Sequence, residues 1–90
     1  MKLIYCPHCQ DVVRLRFERR ECECGACFGY YYKDGLHSVI GGDAIPLGFE
    51  NSTFKYALEH RPTTGMGMTF NAFVIPEKCP TILYDEGDGL

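Results

Sequence analysis

Ninety residues with a formal net charge of −3 make one domain, and that charge excludes a nucleic-acid grip built on strongly basic composition. No apolar run is long enough to span a membrane, and the run that opens the chain at residues 1–5 is far too short for a secretory signal, so the expected location is the cytoplasm. A chain this small buries little surface, and such scaffolds need a staple beside their apolar core, here supplied mainly by six Tyr and six Phe without Trp.

In chain order, residues 2–5 read as a short strand leading to the pair Cys6 and Cys9, with Pro7 stiffening the turn between them. Val13, Leu15 and Phe17 then alternate with Arg14, Arg16 and Glu18, so residues 12–18 are expected to form a strand with one buried and one charged face. Arg19-Arg20-Glu21 brings the chain to the cluster Cys22, Cys24 and Cys27. Residues 28–32 and 36–40 are two further strands around Lys33-Asp34-Gly35, and Asp-Gly between apolar runs predicts a type I′ hairpin turn. Phe28, Tyr30 and Tyr32 share one face, as do Leu36, Ser38 and Ile40. Gly41-Gly42-Asp43 breaks the strand, and residues 44–48 continue as an irregular or edge segment because Pro46 cannot donate to a ladder. The one convincing helix follows, capped by Asn51 or Ser52, with an apolar stripe of Phe54, Ala57 and Leu58, and ended by Arg61-Pro62. Residues 63–67 form a flexible connection. Met68, Phe70, Ala72 and Val74 alternate with Thr69, Asn71, Phe73 and Ile75 in another strand, and residues 81–84 form a last edge strand. Residues 85–90 read as a flexible acidic tail.

Five of the six cysteines fall within the first 27 residues, in two clusters separated by twelve residues. Two tight turns each offering two thiolates is how a small protein holds one tetrahedral Zn²⁺. The reducing compartment expected above favours metal binding over disulfides. Cys6, Cys9 and Cys24 are three candidate ligands; the fourth is Cys22, in a C-x-C-Gly pair, or Cys27, in a C-x-x-C pair. Gly25 directly after Cys24 suits a tight knuckle whose amides donate to sulfur. Iron is the lesser alternative, because Gln10 rather than glycine follows Cys9.

Cys6-Pro7-His8-Cys9 resembles the first knuckle of a zinc ribbon, and Cys22-Glu23-Cys24-Gly25 or Cys24-Gly25-Ala26-Cys27 resembles the second. The longer stretch from Cys22 to Tyr30, with Asp34-Gly35 after it, is similar to small zinc-ribbon proteins of bacteria and their phages. That resemblance places the second pair as C-x-C-Gly, hence Cys22. It implies a metal and a local fold but no activity, because zinc ribbons serve nucleic-acid binding, protein docking and plain structural support alike.

The expected fold is therefore α+β: a zinc ribbon over about residues 1–33, continuous with a small antiparallel sheet and one short helix packed on it, in a single domain over residues 1–84. His8, His37 and His60 read as surface residues and Cys79 as a packed thiol with no recognisable base beside it. Gly65-Met66-Gly67 lacks the lysine of a phosphate-binding loop. Residues 1–33 carry six basic and four acidic side chains, whereas residues 34–90 carry three basic and eight acidic. The basic excess concentrates in Arg14, Arg16, Arg19 and Arg20, which with the tyrosines of residues 30–32 make the alternative case for a nucleic-acid surface. The favoured expectation is a non-enzymatic binding module acting through a protein partner, such as a phage- or bacterium-encoded regulator or inhibitor.

Overall fold

The structure is a computed structural model and describes residues 1–85. It contains eight strands and one helix in the order β1 (Lys2–Tyr5), β2 (Val12–Arg14), β3 (Arg20–Glu21), β4 (Phe28–Tyr31), β5 (Ser38–Gly41), β6 (Ile45–Phe49), α1 (Asn51–Glu59), β7 (Ala72–Val74) and β8 (Ile82–Asp85). The α+β class holds, but the strands divide between two four-stranded sheets rather than one antiparallel sheet. One sheet runs β2-β1-β6-β7 and is antiparallel throughout; the other runs β3-β4-β5-β8, with β8 parallel to β5. No helix among the described residues is long and apolar enough to cross a membrane.

The chain passes from the first sheet to the second directly after Arg14. Leu15 N–H still donates to Lys2 O, at 3.1 Å, but Arg16 O instead accepts from Tyr31 N–H of the second sheet, at 2.7 Å. The expected strand over residues 12–18 is therefore cut to three residues, and Phe17, placed on the buried face by its alternation, is 67% exposed. Leu15 turns inward and packs over Gly29, where a Cβ would stand 2.8 Å from Leu15 Cδ2. Lys2 adds a second tie: its amide donates to Tyr31 Oη at 2.9 Å and its ammonium to Leu36 O at 2.6 Å. One core cluster results, with Ile4, Val13 and Leu15 from the first hairpin packed against Ile40 and Ile82 of the second sheet and against Cys6, Cys22 and Cys27.

Residues 44–48 were expected at an edge, yet β6 lies between β1 and β7. Pro46 O accepts from Ile75 N–H at 2.9 Å, so the nitrogen that lacks a proton faces the end of the β7 ladder, and the missing donor removes no bond to β1. The strand expected from Met68 to Val74 shortens to β7, and the 28–40 hairpin closes through a wider loop than a two-residue turn, with Tyr32 N–H on His37 O at 2.7 Å. Glu50, not Asn51 or Ser52, is the helix N-cap and makes no side-chain cap bond. Asn51 Oδ1 instead accepts from the N-terminal ammonium at 2.8 Å. Ala57 is buried and Leu58 is exposed, so the helix docks chiefly through Phe54, whose ring meets Phe49 and Phe70 at centroid distances of 5.3 and 4.8 Å. Asp85 closes β8; the rest of the expected acidic tail lies outside the described residues.

Candidate metal centre

The two cysteine turns differ in span but share an amide aimed at the first sulfur and a left-handed closing residue. In the first, Gln10 N–H closes onto Cys6 O at 2.7 Å and Cys9 N–H points at Cys6 Sγ at 3.5 Å. In the second, Gly25 N–H closes onto Cys22 O at 3.0 Å and Cys27 N–H points at Cys22 Sγ at 3.3 Å. Each turn ends in a left-handed residue directly after its second cysteine: Gln10 at φ 63° and Gly25 at φ 80°. Glycine is the residue that takes this conformation without cost, and the first turn imposes it on a glutamine. Asp11 joins the two turns, its Oδ2 accepting from Glu23 N–H at 2.9 Å, while His8 Nε2 lies 2.7 Å from Asp43 Oδ2.

This framework gathers four sulfurs. The Sγ atoms of Cys6, Cys9, Cys22 and Cys24 all lie within 4.8 Å of one another and could hold a metal ion. Cys24 Sγ is 3.7 Å from Cys6 Sγ and 3.6 Å from Cys22 Sγ, and all six cysteines are free thiols. Four sulfurs at about 2.3 Å from one tetrahedral ion are about 3.8 Å apart along each edge, so these separations fit a metal and are far beyond an S–S bond of about 2.05 Å. Cys27 stands outside the four. It is fully buried, and its thiol lies against Cys6.

Proton affinities within the cluster diverge as close thiols demand. Burial raises the Cys6 thiol, but the amides of Cys9 and His8 and neighbouring thiols outweigh it and bring it down to about 6. At Cys24 the Ala26 amide favours the thiolate, but the sulfur of Cys22 beside it, followed by burial and by Cys9 and Cys6, pushes the thiol up to about 12. Burial, and then Cys6, pushes the Cys27 thiol up to about 12 as well. Four adjacent thiolates are thus unfavourable without a cation among them.

The remaining candidates separate. Arg14 and Arg16 line one groove together with Leu15, Phe17, Glu18 and Tyr31. Arg19 does not join them: its guanidinium lies 3.7 Å from the Phe28 ring centroid and 3.0 Å from Glu21 Oε2. Arg20 spends Nη1 on Arg14 O at 2.9 Å. His37 Nδ1 meets Asp34 Oδ2 at 2.5 Å, and His60 stacks on Tyr56 at a centroid distance of 4.0 Å. Cys79 packs against the core with Sγ 3.3 Å from Thr81 Oγ1, and that hydroxyl, the Thr81 amide and the Lys2 charge lower its thiol pKa despite partial burial. Sequence reasoning missed Asp11 as the tie between turns, since nothing local announces a contact twelve residues away. It also missed Gln10 as a glycine surrogate, although its place directly after Cys9 was a usable sign. Comparison with protein-family models, with curated proteins and with solved structures found no match to this chain.

Proposed function

We propose that this chain is a zinc-stabilised, non-enzymatic binding module that acts through a protein partner, with Cys6, Cys9, Cys22 and Cys24 as the Zn²⁺ ligands. The observation that carries this reading is the sulfur spacing of 3.6 and 3.7 Å within one four-thiol group, the edge length of a tetrahedral thiolate site. A metal held by four protein thiolates has no open position for water or substrate, so its contribution is to folding. The sequence resemblance to zinc ribbons of bacteria and phages points the same way and suits a small regulator or inhibitor. Purified protein is expected to hold one zinc per chain by elemental analysis and to lose its cooperative fold on chelation. A chain that folds equally well without metal, or that links the clusters by disulfides, overturns the reading.

The second reading, a nucleic-acid surface, is favoured by one observation: Arg14 and Arg16 share a groove with the rings of Phe17 and Tyr31. Against it, Arg19 and Arg20 are engaged elsewhere and the net charge is −3. Titration with single- and double-stranded DNA and RNA at about 0.15 M salt is expected to show only weak association. Nanomolar binding with a steep salt slope would promote this reading over the first.

A further inference from the structure

We infer that the groove beside Arg14, Arg16, Phe17 and Tyr31 receives an extended acidic segment of the partner protein, with carboxylates on the two guanidinium groups and an apolar side chain on the exposed Phe17 ring. This rests on the protein-partner reading and names the surface and the chemistry it recognises.

The groove, of about 630 Å³, forms where the chain crosses between the sheets. Its floor is rigid: Leu15 is 1% exposed beneath it, Tyr31 N–H holds Arg16 O, and Arg20 holds Arg14 O from behind. Two features of its rim lack a purpose within the fold. Phe17 stays 67% exposed, its centroid 6.1 Å from that of Tyr31. The Arg14 guanidinium has no partner among the described residues, and Arg16 has only the exposed Glu18 carboxylate at 3.9 Å. An exposed phenylalanine packed on a half-buried tyrosine and flanked by two arginines has the composition of a protein-recognition hot spot. The planar forks of arginine match carboxylates bidentately.

Charge decides what kind of anion fits. Two guanidinium groups, one of them already facing Glu18, allow about two phosphate contacts at most, against about six to ten in a protein that grips nucleic acid, and the acidic second half of the chain repels a polyanion. A peptide needs only two carboxylates. Arg14 and Arg16 are two residues apart and line the same groove, so carboxylates at nearby positions of an extended partner can reach both. Glu18 is the one carboxylate in the lining and selects against segments bearing more negative charge than the two arginines neutralise.

The test uses the zinc-loaded full chain, ¹⁵N-labelled, and three probes: an acetylated, amidated hexapeptide of alternating glutamate and leucine, the same peptide with lysine for glutamate, and a short oligouridylate. The glutamate peptide is expected to shift the amide signals of residues 14–18 and Tyr31 with a dissociation constant on the order of 10⁻⁴ M. Arg14→Gln combined with Arg16→Gln is expected to weaken it about tenfold or more, Phe17→Ser severalfold, and Arg19→Gln not at all. Zinc content and the remaining amide spectrum, unchanged in each variant, show that the fold is intact. No shift at these residues, equal binding of the lysine peptide, or retained affinity in the double arginine variant overturns the proposal while leaving the zinc-stabilised binding module standing. Oligouridylate binding tighter than the glutamate peptide overturns both.

Discussion

The left-handed residues that close the two cysteine turns make a matched pair of substitutions whose effects have opposite signs. Gln10 sits at φ 63°, where a side chain costs about 1–2 kcal/mol relative to the right-handed region. Gln10→Gly removes that strain but adds backbone freedom to the unfolded chain worth about 0.4–1 kcal/mol, so the net expectation is a gain of about 0.5–1 kcal/mol. Gly25→Ala reverses both terms at φ 80°, and because a Cβ there would meet nothing within 4 Å, no collision adds to the strain. Its expected cost is therefore about 0.5–1 kcal/mol. Urea unfolding at fixed free zinc should raise the midpoint for Gln10→Gly and lower it for Gly25→Ala, with melting shifts of about 2–8 °C for a domain of this size. Keeping zinc fixed matters, because any change in metal affinity enters the unfolding free energy directly. Destabilisation by Gln10→Gly, or no effect of Gly25→Ala, refutes the assignment of these two residues as equivalent left-handed closures.

Two further perturbations probe the core and the metal. Ser38 is fully buried and its Oγ has no hydrogen-bond partner among the described residues, so Ser38→Ala removes an unsatisfied hydroxyl and is expected to stabilise the chain by about 1 kcal/mol in urea unfolding; clear destabilisation would reveal a bond the hydroxyl makes in solution. The Cys24 thiol is held up to about 12 mainly by its sulfur neighbours where the cluster is assembled, and a thiol in an unfolded chain also keeps its proton at neutral pH, so a metal bound there must expel at least that proton. Apparent zinc affinity, read by competition with a chromophoric chelator, is therefore expected to rise with pH by about tenfold per unit for each proton released, and a flat profile between about pH 6 and 8 refutes it.

How far the sequence could be read depended on the range of the contacts involved. The cysteine turns were legible because each is set by residues within a few positions of one another. Residues 2–5 were legible as a strand for the same reason. Phe17 was misplaced because alternation assigns a face only while the strand lasts, and the strand ends where Tyr31, fifteen residues beyond Arg16, captures the Arg16 carbonyl. Pro46 argued for an edge strand, but the direction its nitrogen faces depends on β7, a segment beyond the helix. The parallel pairing of β8 with β5 likewise has no local mark. The arginines stood out as a group by charge, but the structure divides them, and that division follows from Phe28, Glu21 and the Arg14 carbonyl, contacts that charge counting does not contain.

The positions of the metal centre and the groove follow from two strands they share. β1 runs from Lys2, whose amide meets Tyr31 Oη, to Tyr5, which leads into Cys6. β4 runs the opposite way, from Phe28, just after Cys27, to Tyr31. The four thiols therefore sit at one end of this strand pair and the groove at the other, about 10 Å away given three residue rises per strand. A tetrahedral ion at the cysteine end would fix how the first sheet lies against the second, because Cys6 and Cys9 lie in the loop of the first hairpin while Cys22 and Cys24 precede β4. That relative placement is also what sets Arg14 and Arg16, from the first hairpin, beside Tyr31 of the second sheet. The fully buried large side chains are few, Ile4, Leu15 and Ile40 foremost, so a metal would reinforce a small core and the Lys2 and Tyr31 hydrogen bonds in holding the two sheets in register. A metal held there would govern the groove by geometry rather than by contact, so substitutions at Arg14, Arg16 or Phe17 are expected to leave metal binding intact, whereas removal of the metal is expected to dismantle the groove.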